Sequence, residues 1–442
     1  MDFVLLKERI TRCQATVGVI GLGYVGLPVA CMFADAGFQV IGLDVKQDRV
    51  AQINKGQSPI QGKEPGLGEL LARVVAEGRL RATTDYADLA QADVISINVQ
   101  TPVDKEHKPR YVALEAACRS LGAVMKRGAL VIVESTIAPG TMDHIVRPIL
   151  EETSGLKVNE DFYLVACPER VMPGKLLTNL RTMNRVVGGS SPEATELAIA
   201  FYRHVVEADL DPADCITAEL VKTAENAYRD VQIAFANEVA LICEVAGANV
   251  WRVRELVNKC PYRDMHMPGA GVGGHCIPKD PWLLAQGARG QIPLRLIPAA
   301  RAVNDAMPLH VADLVVDALQ EAGRSLAEAR VVILGYAYLE DSDDTRNTPT
   351  RPLLERLWEL GVRPLVHDPY VPEYRSIPLE QAIRGADCLV LMVRHQPYLA
   401  MDLLQVRDWM RTPVLVDGRN AFPMAAEQGF IYRGVGWPVG KE

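Results

Sequence analysis

Thr16-Val17-Gly18-Val19-Ile20-Gly21-Leu22-Gly23-Tyr24-Val25-Gly26-Leu27-Pro28-Val29-Ala30 decides the fold. Residues 16–20 form a short apolar run rich in β-branched side chains, the pattern of a buried strand. Gly21, Gly23 and Gly26 follow, and a helical stretch over 27–34 comes next. Strand, GxGxxG and helix in that order are the dinucleotide-binding fingerprint. Gly21 permits the tight turn, Gly23 lets a pyrophosphate approach bare backbone, and Gly26 lets the helix pack on the strand. Tyr24 and Val25 stand beside them at the helix N-terminus, which attracts phosphates. Pro28 lies in the first helical turn, where its missing N–H costs little.

Residues 39–44 read as a second strand ending in Asp44. An acid there receives ribose hydroxyls and selects NAD over NADP. Arg49 is a cation of the kind that takes a 2′-phosphate, but beside Asp44 it reads as a lid over the adenine. Further strands are predicted at 93–99, 129–133 and 162–166, with helical stretches between them and a closing helix over 192–204. The pattern predicts an α/β domain over 1–205 with a doubly wound parallel sheet. Ligands of such sheets sit beyond the carboxyl ends of the strands. Thr101, Thr136, Glu169, Arg170 and Val171 fall there. Thr101 and Thr136 read equally well as ligand contacts or helix N-caps. Glu169 reads as a carboxylate at a nicotinamide site, with a surface pair to Arg170 as the alternative.

The 442 residues are too many for one core and imply two or three domains. Hydrophobic content of 49% and charged content of 23% are those of a soluble globular chain. A net charge of −8 argues against a nucleic-acid surface, which needs a basic face. Nine cysteines, scattered and without a CxxC pair, fit neither a disulfide framework nor a metal site and suggest a reducing cytoplasm. The first residues lack a signal-peptide core, and no apolar run is long enough for a membrane span.

Residues 206–310 read as helical, starting at Asp211-Pro212 and running through 213–248, 250–259 and 296–319. Lys222 and Asn226 are i and i+4, on one side of a helix. That side continues through Arg229, Ile233, Asn237, Ala240 and Glu244. Such a mixed face suits a helix that passes a site and then packs on a second copy, so a homodimer is expected. Within the segment, Gly269-Ala270-Gly271-Val272-Gly273-Gly274-His275-Cys276-Ile277-Pro278-Lys279-Asp280 places a thiol after a glycine-rich loop. The glycines read as bare backbone against which a large ligand lies. A nearby cation favours the thiolate, so Cys276 reads as a nucleophile. Asp280 reads as a proton handler or as a cap before Pro281.

Residues 320–442 repeat the α/β pattern, with strands at 329–335, 362–366, 388–393 and 414–416 and a helix over 349–360. This domain has no GxGxxG, so no second dinucleotide is expected. Arg346 lies in the acidic loop 340–346 and is a candidate ligand or a partner of its neighbouring acids. The tail after Phe430 reads as poorly structured.

The whole arrangement, two Rossmann-like doubly wound parallel-sheet domains joined by a central helical segment, resembles the UDP-glucose/GDP-mannose dehydrogenase family. The resemblance runs from Gly18 to Arg419. It rests on GLGYVG at 21–26, VESTIAPGT at 133–141, CPERVMPG at 167–174, the Lys222/Asn226 helix, GVGGHCIPKDPW at 271–282, DDTRNTP at 343–349 and DGRN at 417–420. It implies oxidation of a sugar-nucleotide C6 alcohol to a carboxylate with two NAD, through a thiohemiacetal and a thioester on Cys276. Lys222 and Asn226 resemble the oxyanion-stabilising residues, Asp280 and Glu169 the acid/base pair, and Thr136 the residue that positions water. Arg346 resembles the family's cofactor arginine and Arg419 a nucleotide-sugar ligand. Tyr338 and the loop glycines Gly269, Gly271 and Gly273 join the substrate contacts, with Arg263 a further candidate, across a dimer.

CPERVMPG and GVGGHC look most like members acting on UDP-N-acetylmannosamine, then UDP-N-acetylglucosamine. Two departures bear on that expectation. Leu339 stands where most members carry a lysine, and Lys279, where the acetamido-sugar members often have an aliphatic, leans toward UDP-glucose. UDP-glucose and GDP-mannose stay as alternative substrates. A two-electron dehydrogenase would have no use for the thiol, and a non-catalytic NAD-binding protein would not need Cys276, Lys222 and Asp280 together.

Overall fold

The computed structural model describes residues 2–60 and 64–438. The chain forms two compact units: Met1–Glu225 with Trp282–Ile292, and Asn226–Pro281 with Pro293–Glu442.

The first unit is built on β1 (Thr16–Ile20), β2 (Gln39–Leu43), β3 (Leu80–Thr83), β4 (Val94–Ile97), β5 (Leu130–Val133), β6 (Tyr163–Ala166), β7 (Arg185–Gly189) and β8 (Leu210–Asp214). Their spatial order is β3-β2-β1-β4-β5-β6-β7-β8. β1 to β6 pair in parallel, in the order of a doubly wound dinucleotide fold. Val17, Val19, Val94, Leu130 and Ile132 enter one core, while Ile20, Ile95, Ile97, Val131 and Val133 enter another. Successive side chains point to opposite faces. A sheet covered on both faces therefore needs continuously apolar strands.

Two features depart from expectation. β7 runs antiparallel to β6. The domain also does not close at the Pro192–Tyr202 helix: β8 follows and pairs with β7. Asp211 and Pro212, expected to open the long helix, lie within β8, and the helix begins at Cys215. β8 is an edge strand, where a residue without an N–H is tolerated.

The second unit has β9 (Val331–Leu334), β10 (Leu365–His367), β11 (Cys388–Leu391), β12 (Val414–Asp417) and β13 (Ile431–Gly434). The order is β10-β9-β11-β12-β13, parallel throughout. Again the faces alternate: Val331 and Ile333 enter one core, and Val332 and Leu334 the other. The tail is ordered through residue 438 rather than loose. β13 extends the sheet, Val435 is buried, and the Trp437 indole donates to Asn420 at 2.9 Å. Residues 439–442 lie outside the described residues.

The 32-residue helix Cys215–Ala246 carries residues of both units, with Glu225 the last of the first. Its mixed face is explained within the second unit. Asn237, fully buried, donates to Asn304 Oδ1 at 2.9 Å and accepts the Gly269 N–H at 2.9 Å. Asn304 and Arg301, on the Leu296–Glu321 helix, both donate to Asp230. Asn237 thus ties two helices to the start of the glycine loop. Arg229 on the same helix is exposed. Replacing Asn237 by Ala strands a buried N–H and a buried amide oxygen, each costing about 1–3 kcal/mol. Urea unfolding of Asn237→Ala is expected to show a loss in that range or above it, and a loss below about 0.5 kcal/mol, the scale of an ordinary surface substitution, would contradict the assignment.

Candidate active site

In the first unit the glycine turn shows two close approaches and one open position. Gly21 has φ +89°, and a Cβ there would stand 2.6 Å from the Asn98 carbonyl oxygen. A Cβ on Gly26 would stand 1.9 Å from the Gly21 oxygen, so only glycine lets the helix start there. A Cβ on Gly23 would meet nothing within 4 Å, which leaves its backbone open to a ligand. The buried Asp44 carboxylate accepts the Leu22 N–H at 3.0 Å and the Lys46 N–H at 2.9 Å. Its negative charge disfavours a 2′-phosphate, and the open Gly23 backbone suits a pyrophosphate, so these residues fit NAD. Arg49 pairs with Asp44 at 2.8 Å. The Tyr24 hydroxyl donates to Glu64, which also accepts the Gly174 N–H at 2.7 Å. Glu64 joins the turn to the CPERVMPG loop. It lies outside every motif, so the sequence carried no signal for it.

At the strand ends, Thr101 donates to the Thr136 carbonyl at 2.6 Å, and Ser135 donates to the Val99 carbonyl at 2.6 Å. Neither threonine starts a helix, so the capping alternative is not realised. Glu169 accepts the Val171 N–H at 2.6 Å. Burial pushes the Glu169 carboxyl up, opposed chiefly by the ammonium of the buried Lys222. Arg170 forks onto Glu225 and donates to the Asn184 carbonyl at 2.5 Å, so the Glu169–Arg170 pair is not formed.

A second buried carboxylate, Glu219, is one turn before Lys222 and went unnoticed in the sequence. It accepts Gly140 N–H at 2.6 Å and Met142 N–H at 2.8 Å, and so holds the loop that carries Thr136. Burial outweighs these amides and pushes its carboxyl up to about 7. A carboxyl raised on folding stabilises the fold below its unfolded pKa, and that stability is lost as pH rises through about 7. Unfolding free energies measured from pH 4 to 8 are expected to fall across this window in the wild type and to fall less in Glu219→Gln. Equal slopes would refute the assignment.

In the second unit the loop glycines are closely packed by the protein's own residues. A Cβ on Gly273 would stand 2.4 Å from the Tyr338 Cβ, and one on Gly274 would stand 2.8 Å from the Tyr338 ring. Gly271, at φ +115°, is pressed by Pro308 and Pro349, and Gly269 by the Arg419 guanidinium. The Gly274 N–H donates to the Arg346 carbonyl at 2.8 Å, and Asn347 Nδ2 donates to the Gly274 oxygen at 3.0 Å. The Arg346 side chain forks onto Asp344. Arg419 is half-buried, with Nε on the Met392 carbonyl at 2.8 Å and Nη2 reaching the Gly271 carbonyl at 3.4 Å. Arg263 is exposed, and its guanidinium donates to the Tyr262 carbonyl at 3.3 Å.

Cys276 is the first residue of the Cys276–Gln286 helix, where aligned peptide dipoles favour negative charge. Asp280 is the fifth residue, inside the helix and fully buried, so it is not a cap. Its two oxygens meet Lys279 Nζ at 2.6 Å and Asn226 Nδ2 at 2.6 Å. The Lys279 cation is thereby committed to Asp280. His275, unremarked in the sequence, is pushed down to about 4 by burial, then by Lys279 and Arg346, and is neutral at pH 7.

Three family models cover this architecture: the NAD binding domain of the UDP-glucose/GDP-mannose dehydrogenase family over residues 15–206, its central domain over 216–306, and its UDP binding domain over 332–424. The chain belongs to the UDP-glucose/GDP-mannose dehydrogenase family. It is an NAD-dependent nucleotide-sugar dehydrogenase by that membership. The UDP-N-acetyl-D-mannosamine dehydrogenase of Pyrococcus horikoshii is 40% identical over 420 residues, 95% of this chain and 99% of that one. The solved structure of the P. horikoshii UDP-D-ManNAc dehydrogenase has a TM-score of 0.90, with 40% identity and the same 95% and 99% coverage. An NDP-N-acetyl-D-galactosaminuronic acid dehydrogenase structure from Methanosarcina mazei has a TM-score of 0.86 at 38% identity, covering 98% of each chain. The Salmonella typhi UDP-N-acetyl-D-mannosamine dehydrogenase is 37% identical, covering 87% of this chain and 95% of that one. Among the described residues no helix is long and apolar enough to cross a membrane, and no cluster suited to a metal ion occurs.

Proposed function

We propose that this family member oxidises the C6 hydroxyl of UDP-N-acetylmannosamine to the carboxylate. The observation that carries the proposal is Cys276 at a helix start, four residues from a buried carboxylate held by Asn226 and Lys279. The names of the relatives support the sugar. UDP-N-acetylglucosamine is the second candidate. Leu339, where most members carry lysine, leaves UDP-glucose and GDP-mannose to be tested alongside.

NAD supplies the hydride acceptor for two successive oxidations, four electrons in all. Gly21, Gly23, Gly26 and Asp44 would hold it, with Tyr24, Val25, Arg49, Thr101, Thr136 and Arg346 as further contacts. Asp280 takes the proton of the C6 hydroxyl as the alcohol becomes an aldehyde. The Cys276 thiolate then bonds to the aldehyde carbon, and the oxygen takes a proton to give a thiohemiacetal. Removal of a second hydride and the hydroxyl proton leaves a thioester. Lys222 and Asn226 stabilise the oxyanions of these steps. Glu169, kept protonatable by its burial, activates the water that Thr136 positions. Water adds to the thioester carbon, the C–S bond breaks, and the uronate leaves with the thiolate restored. Arg419, Tyr338, Arg170, Val171 and Arg263 complete the proposed substrate contacts with the loop 269–273.

A homodimer is proposed through the Cys215–Ala246 helix. Tyr228, Phe235 and Ile242 recur there every seven residues and are 66%, 58% and 59% exposed. Nine scattered cysteines make the cytoplasm the proposed compartment.

With UDP-N-acetylmannosamine, two NADH per sugar are expected, and one per sugar would overturn the covalent route. A panel of the four nucleotide sugars ranks the substrates by kcat/KM, and a faster rate on UDP-glucose would overturn the sugar assignment. Lys222→Met is expected to lower kcat by about 10²–10³, the range for removal of one oxyanion donor, and an unchanged kcat would remove Lys222 from that role.

A further inference from the structure

His395 lies after β11 and is fully buried, as is Asp368, which follows β10. Asp368 is a hub. One carboxylate oxygen accepts the Tyr336 and Ala337 N–H groups at 2.6 and 2.9 Å, and the other accepts those of Tyr370 and Val371 at 2.9 and 3.1 Å. His395 Nε2 lies 3.1 Å from the first of these oxygens. Burial raises the Asp368 carboxyl, but the imidazole and the amides outweigh it and hold it down to about 2. An ionised carboxylate only accepts, so the hydrogen between them is on His395 Nε2. On the other side of the ring, the Asp341 N–H donates to Nδ1 at 2.9 Å. Nδ1 therefore carries no hydrogen, and the tautomer is set by two partners.

Asp341 has φ +53°, in the left-handed region that a non-glycine residue occupies at a cost. Its side chain also accepts the Gln396 N–H at 2.8 Å. From Asp341 the loop runs to the glycine segment. Tyr338 N–H donates to the Asp344 carbonyl at 3.0 Å, and the Arg346 carbonyl and Asn347 amide clasp the two backbone groups of Gly274. Cys276 is two residues further on.

We propose that His395 is a positioning residue for Cys276: its Nδ1 accepts the Asp341 N–H, and this holds the 338–347 loop against the Gly273–Gly274 backbone. The proposal rests on Cys276 as the nucleophile, but not on the identity of the sugar. The charged and titratable groups facing the ring are Asp368, the Asp341 carboxylate at 3.9 Å, Tyr370, Tyr398 and His367.

Two substitutions separate the two sides of the ring. His395→Asn offers an amide oxygen near the Nδ1 position, while His395→Gln offers an amide N–H near the Nε2 position. The readout is the rate of Cys276 alkylation by chloroacetamide, followed by mass spectrometry of the Cys276 peptide, which needs no nucleotide sugar. His395→Gln is expected to slow alkylation about fivefold to tenfold, the equivalent of one lost hydrogen bond, and His395→Asn to stay near the wild-type rate. Equal rates in all three proteins, or an Asn variant as slow as the Gln variant, would overturn the proposal. A wild type that alkylates as expected yet turns over no nucleotide sugar would count against the proposed function alone. Ring ¹⁵N shifts of the wild-type protein test the same point without substitution, and a hydrogen on Nδ1 would refute it.

Discussion

One close approach governs the second unit: the backbone of Gly273 and Gly274 under the side chain of Tyr338. No residue with a Cβ fits at either place, so the contact belongs to main chain against aromatic ring. It brings the Gly274 amide within reach of the Arg346 carbonyl, and the helix begins two residues later at Cys276. The thiol's position follows from packing between loops whose residues are more than sixty apart in sequence. Packing of this kind is stiff, because a well-filled contact has no neighbouring arrangement of similar energy.

Buried polar groups in the two units share a design. Asp280, Asn237, Asp368 and Glu219 each sit in the interior and each spend both sides of their head group on named partners. A buried polar group is costly when any of its bonds is missing, so each defines a single acceptable geometry. Three of the four hold backbone N–H groups of loops that have no regular structure of their own. These loops are thereby given the rigidity that strands and helices obtain from their ladders.

The fold was legible where the signal is local. The strand, glycine turn and helix from Thr16 onward carry their own pattern, and so do the apolar strands of the second sheet. β8 and β13 were not legible, because a short edge strand is defined by a partner that the local sequence does not name. Asp211-Pro212 even imitates a helix start, an acid before a proline. In the site, Cys276, Asp280, Lys222 and Asn226 stood out by residue type and spacing. Their pairing did not: nothing along the chain says that Lys279 and Asn226 both turn to Asp280. The loop glycines were recognisable as necessary, but a glycine does not say what presses on it. Glu64 and Glu219 cap amides 110 and 79 residues away, beyond the reach of any pattern along the chain.

β8 ends the eight-stranded sheet with one row of main-chain groups facing outward. A bare edge of this kind invites another strand, from a second copy or from a misfolded chain. Asp211, Pro212 and Asp214 are exposed along it. The proline withholds a donor and the two carboxylates repel a like edge. Residue types of this kind on an edge strand disfavour edge-to-edge pairing, and here they lie at the opposite end of the strand order from β3.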